Sequence, residues 1–243
     1  MTRLSRAGLL WPTAFAVAGC LVLIALGTWQ VQRLHWKQSL IDRIEQRATA
    51  RPMSLAAVLT AWTASQDVEY MRVRLAGRFS HELERHIYTV VKGQVGWRIV
   101  TPLETAGGRI LFVDRGFVPD ALKDPKTRAP GQVQGEIALT GLARAPGRQA
   151  PFVPDNDAAR NMWYWRDLDG MAKSAVEPGR RARVVPFFVE AEAGVVPGGW
   201  PRGGVTRLEL SNRHLEYAIT WYGLAVALLV VYGFFVRSRL AGK

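Results

Sequence analysis

Cysteine is almost absent from this chain, with Cys20 the only one in 243 residues. A lone thiol excludes an internal disulfide, a CxxC redox pair, a paired-thiolate copper site and the two-cysteine attachment of a c-type haem. Histidine is scarce too, scattered at positions 35, 81, 86 and 214. The sequence contains no nucleophile elbow, P-loop, dinucleotide fingerprint or HExxH pair, so enzyme chemistry has little footing. Repeats and low-complexity tracts are also missing.

A further absence is more informative. No charged residue lies between Arg6 and Arg33, and none between Glu216 and Arg237. The hydrophobic content of 49% is ordinary, but its distribution is not. Leu10–Val31 is 22 residues and Tyr217–Val236 is 20. As helices these would run roughly 33 and 30 Å, matching a hydrocarbon core of about 30 Å. Trp11 and Trp29 flank the first block, and Tyr217, Trp221, Tyr222 and Tyr232 lie near the ends of the second, where amphipathic rings prefer the headgroup level. The expected organisation is a transmembrane helix at 10–31, a β-rich domain at 32–213 and a second transmembrane helix at 215–236.

Two other readings of the first block were weighed. A basic start before an apolar run resembles a cleaved signal, but a signal core is usually shorter. Val17-Ala18-Gly19-Cys20 resembles a lipoprotein cleavage box, yet the apolar run continues through Leu21 to Leu26, where a lipidated terminus would lead into a polar tether.

The formal charge is +12, and Arg3, Arg6, Arg237, Arg239 and Lys243 leave +7 for everything between. Basic residues beside bilayer-crossing helices are read as contacts to anionic lipid, and nucleic acid is not implied. The positive-inside rule is divided at the first helix, where Arg33, Lys37, Arg43 and Arg47 oppose Arg3 and Arg6. At the second, Arg237, Arg239 and Lys243 outweigh Arg207 and Arg213, favouring cytoplasmic termini and an outward-facing domain.

Beyond Trp29 the spacing of Leu34, Leu40, Ile41 and Ile44 continues the first helix toward Ala48, and Arg51-Pro52 ends it. Ser54 caps a short helix through Trp62. From Tyr70 the period becomes two. Seven strands are expected: Tyr70–Phe79, His86–Val91, Trp97–Leu103, Arg109–Asp114, Glu136–Ala143, Arg183–Glu190 and Val205–Leu210. Glycines and prolines punctuate them, and strands do not alternate with helices, which favours an antiparallel barrel or sandwich. Asp120–Gly131 and Pro146–Arg160 read as loops, and Arg166–Ala175 as a short helix carrying Met171 inward. The fold class is therefore a membrane protein of α+β type.

His81 and His86 stand beside Glu82, Glu84 and Arg85 and read as part of a solvated turn rather than a metal site. His214 differs, because helical spacing places Tyr217, Ala218 and Trp221 on its face at the start of the second span. A histidine at the bilayer surface above an aromatic stripe could ligate the iron of a porphyrin, with Arg33 and Arg213 as cations for its propionates. The blander reading is that His214 caps or anchors the helix. His35 is a weaker candidate of the same kind. Arg115 and Arg166 are read as structural, and Trp29, Trp36 and Trp221 as interface anchors.

Several runs of residues together resemble a known family. Leu26-Gly27-Thr28-Trp29-Gln30-Val31-Gln32-Arg33, followed by Trp36-Lys37 and Leu40-Ile41, resembles the first helix of the surfeit locus protein 1 family of cytochrome c oxidase assembly factors. The likeness continues through Gly77-Arg78-Phe79, Val100-Thr101-Pro102-Leu103, Val113-Asp114-Arg115-Gly116-Phe117-Val118-Pro119 and Pro151-Phe152-Val153-Pro154-Asp155-Asn156. It ends with residues 161–167, Val196-Pro197-Gly198-Gly199, Asn212-Arg213-His214-Leu215-Glu216-Tyr217 and Thr220-Trp221-Tyr222-Gly223-Leu224. Trp200-Pro201 is a local departure.

The resemblance implies a non-catalytic role in maturing haem-copper oxidases. Haem A, held transiently by its iron on His214 with Arg33, Arg213, Tyr217 and Trp221 around it, would pass from haem A synthase to subunit I of cytochrome c oxidase. The alternative is a chaperone that stabilises subunit I through protein contacts alone. Mitochondrial members carry a presequence, whereas only nine residues precede this first span, so a bacterial inner membrane with the domain in the periplasm is expected.

Overall fold

The computed structural model describes residues 9–205 and 212–241. They divide into two units, one of residues 9–43 with 212–241 and the other of residues 44–205. The strand expected at Val205–Leu210 falls almost wholly outside the described residues.

Helix α1 (Leu10–Thr49) is a single element of 40 residues. It runs unbroken through Cys20 and Gly27, and the extended backbone favoured before Pro52 stops it. Helix α4 (His214–Ala241) has 28 residues. Both are long and apolar enough to cross a membrane. Helix α4 and the part of α1 up to Arg43 form the first unit.

The second unit is β-rich. Between β1 (Met53–Ser54) and β2 (Arg72–Phe79) lies α2 (Leu55–Ser65), capped as expected by Ser54, whose hydroxyl accepts from the Ala57 N–H at 3.3 Å. There follow β3 (Arg85–Val91), β4 (Gln94–Glu104), β5 (Ile110–Pro119), β6 (Ile137–Arg144), α3 (Leu168–Ala175) and β7 (Val184–Ala191). Five strands close into a ring in the order β2–β6–β7–β5–β4, completed where Arg78 and Phe79 pair with Glu104 and Leu103. This is the strand order of an OB-type Greek-key barrel. Pairing is antiparallel except for β1 with β2 and β5 with β7. The long connection through β6 and α3 is what allows β7 to lie parallel to β5.

Alternation along the strands sorts the side chains. Val73, Leu75, Leu103, Leu111, Val113, Ala143, Val185, Phe187 and Val189 fill one core, which α2 joins with Val58 and with Trp62, its ring 6.0 Å from Phe187. On the other face Ile110, Phe112 and Phe188 meet Val100, Trp163 and Met171 of α3. Met171 is fully buried there, as the sequence pattern anticipates. Such a side chain contributes on the order of 2 kcal/mol.

One irregularity fixes the polar architecture. Arg98 pairs with Phe117 but Val100 with Asp114, so β5 carries an extra residue at Arg115–Gly116. Gly116 sits at φ +117°, and a Cβ there would lie 1.9 Å from the Arg202 carbonyl oxygen. The Gly116 N–H donates to Asp114 Oδ1 at 3.0 Å, pinning the bulge. Gly116→Ala should therefore destabilise the domain by at least about 2 kcal/mol, measured by denaturant unfolding followed by tryptophan fluorescence; wild-type stability would refute this role of the bulge.

Candidate functional site

Helices α1 and α4 pack against each other through small residues. A Cβ on Gly27 would lie 2.8 Å from the Tyr222 ring, and one on Gly19 would lie 3.2 Å from Leu228. Ala218 and Ala225 are buried on α4. Close approach through glycine and alanine is how helices associate where lipid offers no hydrophobic drive. Among the described residues three side-chain hydrogen bonds cross the seam. Thr13 meets Tyr232, Thr28 Oγ1 lies 3.1 Å from the Tyr222 hydroxyl, and His214 Nδ1 lies 2.7 Å from Gln30 Oε1. Rising numbers on α1 meet falling numbers on α4, so the two helices run antiparallel.

The last of these bonds orders the site. An amide oxygen only accepts, so Nδ1 is the donor in this bond, and in the neutral tautomer that fits it the lone pair lies on Nε2. Gln30 is buried and His214 half-buried. A partner that fixes one imidazole nitrogen as donor leaves the other shaped to bind a metal. Among the described residues no partner occupies Nε2.

The other residues singled out in the sequence fall around this pair with different neighbours. Trp221 is half-buried on the stripe that continues through Ala218 and Ala225, whereas Tyr217 turns outward and is exposed. Arg213 pairs with Glu216 at 3.1 Å, and the Arg33 guanidinium stacks over Trp36 at 4.4 Å. Both arginines are exposed. His35 is also exposed. Gln30 is the residue that sequence reasoning passed over. Its signal was an amide within an otherwise apolar run, a position that demands a polar partner in the protein.

The β domain holds two buried polar clusters. In the first, Glu84 Oε1 accepts from His86 Nε2 at 2.7 Å and from Arg128, while His81 Nε2 lies 2.8 Å from the Val133 carbonyl and its Nδ1 lies 3.2 Å from Arg115. This corrects the expectation of a solvated turn, because His86 and Glu84 are 7% and 4% exposed. The cause is tertiary, since Arg128 arrives from the segment before β6. Burial raises the Glu84 pKa, but hydrogen bonds from His86 and Arg128 outweigh it and hold the carboxyl below its usual range. Among the described residues no three His, Cys, Asp or Glu side chains group as a metal site.

In the second cluster, Asp114 pairs with Arg98, and Glu190 receives Arg98 at 3.2 Å, Arg144 at 3.1 Å and Arg166 at 2.5 Å. Arg115 donates to the Gly131 carbonyl and to Gln132 Oε1. Arg115 and Arg166 thus act as the structural pairing residues expected.

Fold and site together define a class: a small Greek-key barrel whose sequence is flanked by two apolar helices, with a histidine oriented in the seam of those antiparallel helices. The chain belongs to the SURF1 family, whose model matches residues 17–226. It is 40% identical to human Surfeit locus protein 1 over 220 residues, covering 83% of this chain and 70% of the relative. It is 39% identical to the rat protein of that name over 218 residues, covering 83% and 68%. A SURF1-like protein of Monosiga brevicollis is 35% identical over 230 residues, covering 89% and 84%.

Two outcomes follow from the packing. Gly27→Leu should force α1 and α4 apart and cost about 1–3 kcal/mol in detergent unfolding, and unchanged stability would remove the seam. Glu84→Gln should cost about 3 kcal/mol near neutral pH by leaving Arg128 buried without its counter-charge. Because the folded carboxyl titrates below its ordinary range, its contribution is present above that range and lost as pH falls through the depressed value. The variant's stability curve should be flatter over that acid window, and parallel curves would contradict the assignment.

Proposed function

We propose that this chain is an assembly factor for a haem-copper cytochrome c oxidase and that it assists haem A on its way to subunit I. Family membership supports the assembly role, and the His214–Gln30 hydrogen bond supports the haem role. When bound, haem A would supply the redox centre destined for the oxidase. The chain's own residues have simpler tasks. Gln30 holds the proton on His214 Nδ1 and leaves Nε2 to face a ligand. Trp221 supplies an aromatic flank on the same stripe. Arg33 and Arg213, exposed and basic, suit the acidic edge of a porphyrin, and Tyr217 lies at the same helix end. A single neutral imidazole suits reversible holding rather than permanent capture, so the role is delivery and not turnover.

The proposed setting is a bacterial inner membrane, with two spans, both termini cytoplasmic and the β domain in the periplasm. Haem A synthase and subunit I are the proposed partners, with anionic lipid around the spans.

A second reading has its own support in the same bond. A polar pair across two membrane helices is also a clamp, and a clamped scaffold could steady subunit I by protein contacts without touching haem. The two separate in one experiment. Protein purified from cells that make haem A should show a substoichiometric haem spectrum, lost in His214→Ala and weakened several-fold in Gln30→Ala. Haem retained at wild-type level in His214→Ala would overturn the ligand reading. Oxidase of normal activity and haem content in a strain deleted for the gene would overturn the assembly role itself.

A further inference from the structure

A hollow of about 530 Å³ opens on the outer face of the barrel, between β3 and the segment after β6. Its size falls in the range of roughly 300–1,000 Å³ typical of ligand sites. Its lining combines a run of strand edge without a backbone partner among the described residues and four arginines.

The edge belongs to β3, which ends the sheet. The N–H and C=O of alternate strand residues point to the same side. The His86 carbonyl accepts from the Trp163 N–H at 3.0 Å and the Tyr88 N–H donates to the Trp163 carbonyl at 2.7 Å, while the His86 N–H donates to Asn161 Oδ1 at 3.3 Å. By alternation the outward pair of Val90 follows. Among the described residues neither it nor the Tyr88 carbonyl has a backbone partner. All five residues from Ile87 to Val91 line the hollow, and the exposed edge carries Tyr88 and Val90, 40% and 52% accessible. Among the described residues, the strand therefore offers a ladder that Trp163 begins and nothing continues.

The charge comes from the floor. Arg98, Arg144, Arg148 and Arg166 line the hollow against Asp114 and Glu190. Glu69 also pairs with Arg144 at 2.9 Å, so among the described residues four arginines face three carboxylates. Asp114 uses one oxygen on Gly116 and the other on Arg98, whereas Arg166 spends only Nη1, on Glu190. Burial, and then neighbouring Arg144, lowers the Arg166 pKa from its ordinary value, as befits a cation with room for more counter-charge. The Trp165 indole N–H is buried at the same wall without a partner among the described residues.

We infer that this hollow takes an extended acidic segment of a partner polypeptide, which adds to the outer edge of β3 and sets carboxylates against Arg98, Arg144 and Arg166. Strand addition derives affinity from backbone bonds and specificity from alternate side chains. Because Ile87 pairs with Arg98, the added strand would turn every second side chain toward the arginines. The inference does not depend on the haem reading, since every residue it uses lies in the β domain.

The test uses the full chain in detergent micelles and a fluorescently labelled peptide of roughly eight residues alternating glutamate with threonine or valine. Its counterpart carries lysine for glutamate. The glutamate peptide should bind, more weakly as salt rises, and the lysine peptide should not. Val90→Pro removes an outward donor that β4 does not use, and should lower affinity about tenfold. Arg148→Glu alters an exposed side chain without a partner among the described residues. It should weaken binding several-fold with an unchanged melting temperature, and it decides the matter alone if the proline variant does not fold. The inference is overturned if the wild type binds neither peptide or both equally, or if the folded variants keep full affinity for the glutamate peptide.

Discussion

Polar groups on a helix surrounded by hydrocarbon must find their partners inside the protein, because no solvent is there to take them. That constraint organises the helical unit. Thr13, Thr28 and Gln30 on α1 each meet a polar side chain on α4, and glycine or alanine between them lets the backbones come close enough for the bonds to form. Two of the three partners are tyrosines, which serve as packing surface as well as hydrogen-bonding group. The third is the histidine, and the same bond that joins the helices also selects its tautomer. Anchoring and chemistry are in this respect one interaction.

The barrel obeys a related rule in a different medium. Among the described residues its buried carboxylates sit in two clusters, and the bulge at Arg115–Gly116 separates them. Without the extra residue Asp114 and Arg115 would simply alternate across a regular strand. With it, Asp114 joins Arg98 and the Glu190 cluster, and Arg115 reaches His81, Gln132 and the Gly131 carbonyl. A run of four residues, Val113 to Gly116, thus supplies a core side chain, one member of each cluster and the conformational freedom the turn requires.

The fold was largely legible in the sequence. Charge-free length marked both helices, period two marked the strands, and Ser54 and Met171 took the cap and core positions their patterns foretold. What escaped were relations between distant residues. Closure of the ring through Arg78 with Glu104, and the parallel lie of β7 on β5, leave no local trace, since pairing partners are chosen by topology. His86 looked solvated among its charged neighbours because Arg128, which buries the group, comes from 42 positions later. Gln30 was quoted as part of a family resemblance and yet given no role, because its partner is 184 positions away. The candidate histidine was visible; what orients it was not.

That separation also sets an order of events. Helix α4 follows α1 only after the whole β domain, so a growing chain exposes Gln30 long before it owns His214. Until the second helix has threaded back beside the first, the imidazole has no neighbour to choose its protonated nitrogen. A truncated or stalled product would carry the anchor and the barrel but not an oriented donor. Competence is thereby tied to completion, as in a clasp whose two halves are sewn to opposite ends of the cloth.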